Sequence, residues 1–217
     1  MAWRQFRPLE PNEFIVVGVD TSTGVNDYCS AQFLSKNRLD VPLIYHSKVL
    51  ATEMTNQLFP VLERIYDTTG IAPVVAYERN NGGVFELERL SMINRSNKYR
   101  IYLTKNVGNV QNPDEKKIGW DTNGATRPHM LSALKEAVDT HLITIYDKPT
   151  INEMFSFIIA KTSATQKAQA EVGAHDDLVM SLAIAWQLYG TETGRTEGAS
   201  QLVLARNRNN KKKWQIH

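Results

Sequence analysis

The run Phe14-Ile15-Val16-Val17-Gly18-Val19-Asp20 constrains the fold more than any other segment. It is β-branched and apolar at almost every position, with no polar residue alternating along it. A strand with one face in water alternates apolar and polar side chains. A strand that is apolar throughout has to be covered on both faces. The chain therefore needs a buried central strand with layers packed above and below it, and that strand ends in a carboxylate.

The other segments supply the layers. Residues 28–34 and 43–50 are two further strands divided by the polar stretch 35–42, which predicts an antiparallel meander. Residues 52–66 predict a helix capped by Thr52, with Leu58, Val61, Leu62 and Ile65 on one face and Gly70 past its end. Pro73-Val74-Val75-Ala76-Tyr77-Glu78 is a second short apolar strand ending in an acid. Asn80-Asn81-Gly82-Gly83 then bends into a helix carrying Val84, Leu87 and Leu90, and 99–103 is another strand. Residues 105–125 have no apolar period and predict a long, mobile loop with room for a small hairpin; loops of this length often carry function.

A helix is expected over 126–140, with Pro128 in its first turn, then a strand at 142–146. Residues 151–159 fit a helix or a strand equally, and 161–171 suit a hairpin. The last element, 176–189, is a helix with Leu178, Leu182, Ala185 and Trp186 at helical spacing. The order predicts an α/β domain: a mixed central sheet with antiparallel first strands and flanking helices on both faces. Residues 1–13 read as an N-terminal arm or linker remnant, 14–190 as the domain, and 191–217 as a polar basic tail.

Bulk composition excludes more than it assigns. A formal net charge of +2 over 217 residues does not announce a nucleic-acid binder, so any attraction to phosphate has to be local. The single cysteine, Cys29, rules out an internal disulfide framework and a cysteine-rich zinc site. No secretory leader and no membrane-spanning run is visible, so a soluble intracellular protein is expected.

The chemistry lies in acids at the ends of buried elements. Asp20 and Glu78 each follow the apolar core of a strand, where α/β sheets open onto their ligand crevices. Gly173-Ala174-His175-Asp176-Asp177 opens the last helix. Successive helical positions differ by about 100°, so the two aspartates cannot share one face. Asp177 is the favoured ligand, because Ser181 one turn on keeps that face small and polar. Hard divalent cations such as Mg²⁺ take oxygen donors of this kind. Plainer explanations exist for three of the acids, Asp20 as a turn former and Asp176 and Asp177 as partners of the helix dipole, while Arg79 is expected to pair with a local acid.

Val17-Gly18-Val19-Asp20, Ala76-Tyr77-Glu78-Arg79-Asn80-Asn81-Gly82-Gly83, Gly119-Trp120-Asp121-Thr122-Asn123 through Thr126-Arg127-Pro128, and Gly173-Ala174-His175-Asp176-Asp177-Leu178-Val179-Met180-Ser181-Leu182-Ala183 together resemble the nuclease domain of tailed-phage terminase large subunits. The resemblance runs from about residue 14 to 189 and implies a ribonuclease-H-like fold. It implies a viral DNA-packaging endonuclease that hydrolyses phosphodiesters in concatemeric double-stranded DNA with two divalent cations, Mg²⁺ or Mn²⁺. Asp20, Glu78 and Asp177 would be the catalytic metal triad, with Asp20 bridging, Asp176 a further ligand and His175 behind them.

The resemblance also implies partners: a packaging ATPase domain, the portal and the small terminase subunit, in the host cytoplasm and transiently at the procapsid portal. No Gly-x-x-x-x-Gly-Lys-Ser/Thr phosphate loop occurs in the chain, so these residues do not drive translocation themselves. Lys105, Lys116, Lys117, Arg127, Lys161 and Lys167 flank the expected crevice and are candidate phosphate contacts, which would be sequence-neutral and salt-sensitive. Two alternatives stay open: another ribonuclease-H-like nuclease of resolvase or transposase type, or a noncatalytic DNA-binding module of a packaging motor.

Overall fold

The computed structural model describes residues 2–22, 27–105, 116–159 and 176–192, without the side chains of 105 and 156–159. The expectations for Lys161, Lys167, His175, the 161–171 hairpin and the basic tail lie outside the described residues, as does the side chain of Lys105. In chain order the elements are β1 (Trp3–Gln5), β2 (Ile15–Asp20), β3 (Cys29–Ser35), β4 (Asp40–Ser47), α1 (Ala51–Thr69), β5 (Val74–Tyr77), α2 (Gly83–Ile93), β6 (Arg100–Ile101), β7 (Leu103–Lys105), β8 (Lys116–Ile118), α3 (Thr126–Asp139), α4 (Lys148–Ile159) and α5 (Asp177–Thr191).

Six strands form one sheet in the order β1-β4-β3-β2-β5-β6. Strands β2, β3 and β4 make the expected antiparallel meander, while β5 lies parallel to β2 and β6 parallel to β5. All six residues of β2 are buried, as an apolar central strand demands. Its side chains alternate between two cores. Ile15, Val17 and Val19 face α1 and α2, with Leu58, Leu62, Leu87 and Leu90; Val16 faces α3 and α5, with Leu134, Leu182 and Leu188. The fold is thus the α/β arrangement expected from the sequence, a mixed sheet flanked by helices on both faces.

Local readings differ in three places, and a fourth, left open between helix and strand, is resolved. The helix at 51–69 starts at Leu50 with no side-chain cap; the Thr52 hydroxyl bonds Glu86 on α2 instead, at 2.7 Å. Residues 142–146 form no strand: Thr144 makes a single bridge to Asp40, and Leu142 and Tyr146 are exposed. Residues 151–159 are helical, within α4. The segment 99–103 splits between β6 of the main sheet and β7, which pairs with β8 in the small hairpin anticipated in the long loop.

Residues 3–5 of the N-terminal arm add an edge strand along β4. Arg4 then reaches Asp147 at 2.6 Å, and Asp147, 1% exposed, accepts from the backbone N–H and hydroxyl of Thr150 in the first turn of α4. Burial raises the Asp147 carboxyl, but bonds from Arg4 and Thr150 outweigh it and hold the group below the usual range. A depressed carboxyl contributes stability above its unfolded pKa and loses it as pH falls through the folded one. Arg4→Ala should therefore cost about 3 kcal/mol near neutrality, by leaving a buried charge unpaired. Urea midpoints at pH 7 and below pH ~4 check this, with the gap between variant and wild type shrinking in acid.

Candidate active site

Asp20 and Glu78 are brought together by register. Val19 pairs with Tyr77 across the parallel β2/β5 ladder, and the Glu78 N–H donates to the Val19 carbonyl at 2.8 Å. One residue further, both acids stand side by side. Period-two alternation points them to the face covered by α5, because Gly18 and Ala76, two residues earlier, lie under that helix. The turn beyond is locked by the Thr21 hydroxyl on the Asn80 carbonyl at 3.3 Å. Gly83 is required there: a Cβ would stand 1.9 Å from the Glu78 carbonyl oxygen.

The third acid arrives on α5. Ser30, the register partner of Asp20, bonds the Asp177 carbonyl at 2.6 Å and the Ser181 hydroxyl at 2.7 Å. Ser181 itself donates to the Asp177 carbonyl at 2.9 Å. Gln32 donates to the Leu178 carbonyl at 3.3 Å and to the Thr150 hydroxyl at 3.0 Å. The first turn of α5 is thereby fastened to β3 directly beside Asp20. Ser181 does more than keep a face small: it is part of the fastening.

Asp20, Asp27, Glu78, Asp176 and Asp177 line one pocket of about 560 Å³, with Arg127, Thr21, Ser22, Asn80, Asn81 and Met180. Asp20, Glu78 and Asp177 are 7%, 7% and 6% exposed, so each is largely withdrawn from water yet open to the pocket. Burial, then the adjacent Glu78 carboxylate and a hydrogen bond shared with it, then Asp177 and Asp176, hold the Asp20 carboxyl well above its usual range. Asp176 sits at the N-cap and forms an ion pair with Arg127. The two neighbouring aspartates thus reach the same pocket by different routes, Asp177 from the buried side and Asp176 at the rim.

The structure brings together Asp20, Glu78, Asp176, Asp177 and Arg127. Lys116 and Lys117 lie on β8 of the hairpin, off the pocket wall. The hairpin leads back to the site nonetheless: Trp120 bridges Glu78, and Arg79 donates to the Ile118 carbonyl at 2.5 Å. Arg79 was expected to pair with an acid, but its guanidinium holds the base of the hairpin. Asp27 was missed, since a polar residue just before a strand carries no periodic signal. Ser30 and Gln32 were missed as well, although two polar residues at period two in an otherwise apolar strand mark a face that meets something polar.

The donor set is all oxygen, which suits a hard divalent cation and not zinc held by thiolate or imidazole. Among the described residues no three Asp, Glu, His or Cys side chains stand ready as placed to hold an ion. The fit is therefore one of donor chemistry and of like charge gathered in one pocket, with Asp20 and Glu78 side by side.

No protein-family model and no curated protein matches the chain. Solved structures do share its fold. The large terminase nuclease from thermophilic phage G20c, crystallised with bound magnesium, is 14% identical with a TM-score of 0.59, covering 86% of this chain and 87% of that one. The Thermus phage P74-26 large terminase nuclease domain is 16% identical with a TM-score of 0.57, over 89% and 87%. The human cytomegalovirus terminase nuclease domain, soaked in manganese with an inhibitor bound, is 11% identical with a TM-score of 0.54, over 88% and 87%.

Proposed function

We propose that this chain is the metal-dependent endonuclease domain of a viral DNA-packaging terminase, cutting concatemeric double-stranded DNA with little sequence preference by two-metal phosphodiester hydrolysis. The observation that carries the reading is the pocket in which five carboxylates face one guanidinium, three of them at the ends of buried elements. Like charges gathered out of water repel unless protons or cations intervene. The fold shared with terminase nucleases supports the same reading, as do the magnesium and manganese of those crystals.

Asp20, Glu78 and Asp177 would hold two divalent cations, Mg²⁺ or Mn²⁺, with Asp20 between them and Asp176 assisting. Bound there, such ions lower the pKa of a water and neutralise charge on the phosphate and the leaving 3′ oxygen. The chain's own work is placement: β2, β5 and the first turn of α5 hold the acids on rigid backbone, and partial burial strengthens every charge interaction inside. Arg127, kept at the rim by Asp176, is the guanidinium available to orient a scissile phosphate. Lys105, Lys116, Lys117, Lys161 and Lys167 would contact the DNA backbone, and His175 would support the aspartates. The packaging ATPase domain, portal and small terminase subunit would deliver the DNA, at the procapsid in the host cytoplasm.

Purified protein should cut linear duplex DNA with Mn²⁺ or Mg²⁺ and stop in EDTA. At about 100 times its Kd a cation adds about 2.7 kcal/mol, which raises the Tm by about 5–10 °C for a chain of this size. Cutting that persists in EDTA, or a Tm indifferent to both ions, would sink the reading. Preference for junctions or hybrids would favour a resolvase or transposase type. DNA binding without any cutting would favour a noncatalytic motor module.

A further inference from the structure

Helix α4 packs beside α5, and one of its side chains ends on the turn that carries Asp177. The Glu153 carboxylate accepts a hydrogen bond from the Val179 backbone N–H at 2.8 Å. That N–H is one of the donors a helix leaves unsatisfied in its first turn. The N-cap residue, Asp176, makes no side-chain cap bond; its carboxylate is turned to Arg127. Glu153 therefore does from a neighbouring helix what a cap does locally.

The carbonyl side of the same turn is held separately. Ser30 takes the Asp177 carbonyl, and Gln32 joins the Leu178 carbonyl to Thr150 of α4. With Glu153 in place, the turn is gripped on its amide and carbonyl sides by elements distant in sequence.

We propose that Glu153 is a positioning residue for the cation site: by holding the Val179 amide it sets the first turn of α5, and with it Asp177, against Asp20 and Glu78. This rests on the metal reading of the pocket given above. The site is a poor place for one more acid unless the acid has such a task. A residue needed only to fill space there would be more stable as an apolar one.

Two variants separate the roles. Glu153→Gln keeps an oxygen for the Val179 N–H; Glu153→Ala leaves that donor without it. Mn²⁺ binding by calorimetry and Mn²⁺-dependent cutting are titrated well below each protein's Tm, with Ile65→Val, on the opposite face of the sheet, as a stability control. Ala should raise the Mn²⁺ half-saturation point about tenfold or more, as loss of a residue behind a ligand does. Gln should stay within about threefold of wild type, and Ile65→Val should not shift it. An Ala variant with the wild-type midpoint, or a Gln variant as impaired as Ala, overturns the proposal.

The clamp also has a readout that needs no ion. Amide exchange at Val179 should accelerate in Glu153→Ala and not in Glu153→Gln. Unchanged exchange in the Ala variant overturns the clamp even if wild type binds Mn²⁺ well. Faster exchange with no Mn²⁺ binding in wild type instead removes the metal reading and, with it, the positioning role.

Discussion

Asp20→Asn is expected to reduce Mn²⁺- or Mg²⁺-dependent cutting by about 10³-fold or more while leaving the metal-free protein as stable as wild type, or more so. The loss follows from position. Residues that merely support metal ligands cost about 10- to 100-fold when changed, and Asp20 is the acid proposed to lie between both cations. The stability side follows from charge. The Asp20 carboxyl is buried beside Glu78 and faced by Asp177 and Asp176, all of which favour its protonated form. An acid whose folded pKa lies above its unfolded value contributes stability in full below the unfolded value, and that contribution is lost as pH rises toward the folded one. A neutral isostere escapes the loss. Thermal melts in EDTA should show Asp20→Asn equal to wild type near pH 4 and level or higher at pH 8, while added Mn²⁺ raises only the wild-type Tm. A variant that cuts normally removes the assignment. A variant that fails to fold in EDTA shows that Asp20 holds the sheet together instead.

The acids were legible because their signal is local. An apolar strand that stops at a carboxylate announces both the buried strand and the open end, and this holds for Asp20 and Glu78 alike. Their convergence was legible as well, once β2 and β5 were taken as neighbours, since parallel strands in register present their ends together. What stayed hidden depends on partners distant in sequence. Thr52 looks like a cap residue in the sequence, yet α1 has Leu50 at its N-cap, so Thr52 already lies in the first turn and its hydroxyl finds Glu86 on α2. Residues 142–146 have strand-like Ile143 and Ile145, but Thr144 meets only the turn end of the β3/β4 hairpin, through bonds with Leu39 and Val41. Asp27, Ser30 and Gln32 gain their meaning only when α5 lies across the sheet, and nothing in their own neighbourhood states that it will.

Gly18→Ala should cost about 3 kcal/mol or more and lower Tm by about 10 °C. The glycine lies in the middle of β2, a position where glycine ordinarily weakens a strand. The reason for it stands on the facing helix. A Cβ at Gly18 would lie 2.1 Å from the Ser181 carbonyl oxygen and 2.4 Å from the Ala185 backbone nitrogen. Both are backbone atoms, so no side-chain rotation relieves the contact, and α5 has to move away. Moving α5 breaks the bonds from Ser30 to Asp177 and Ser181, and so carries Asp177 away from Asp20. Cutting should therefore fall further than the lost stability alone would bring, even at temperatures where the variant is folded. Gly190→Ala supplies the control. It changes the same atoms near the far end of α5, where a Cβ would meet nothing within 4 Å. There the substitution should stabilise, by about 0.5–1 kcal/mol, because alanine is the better helix former. Opposite signs from one methyl group at two points would show that close approach of α5 to the central strand builds the site. Equal effects, or a tolerated Gly18→Ala, would refute that account.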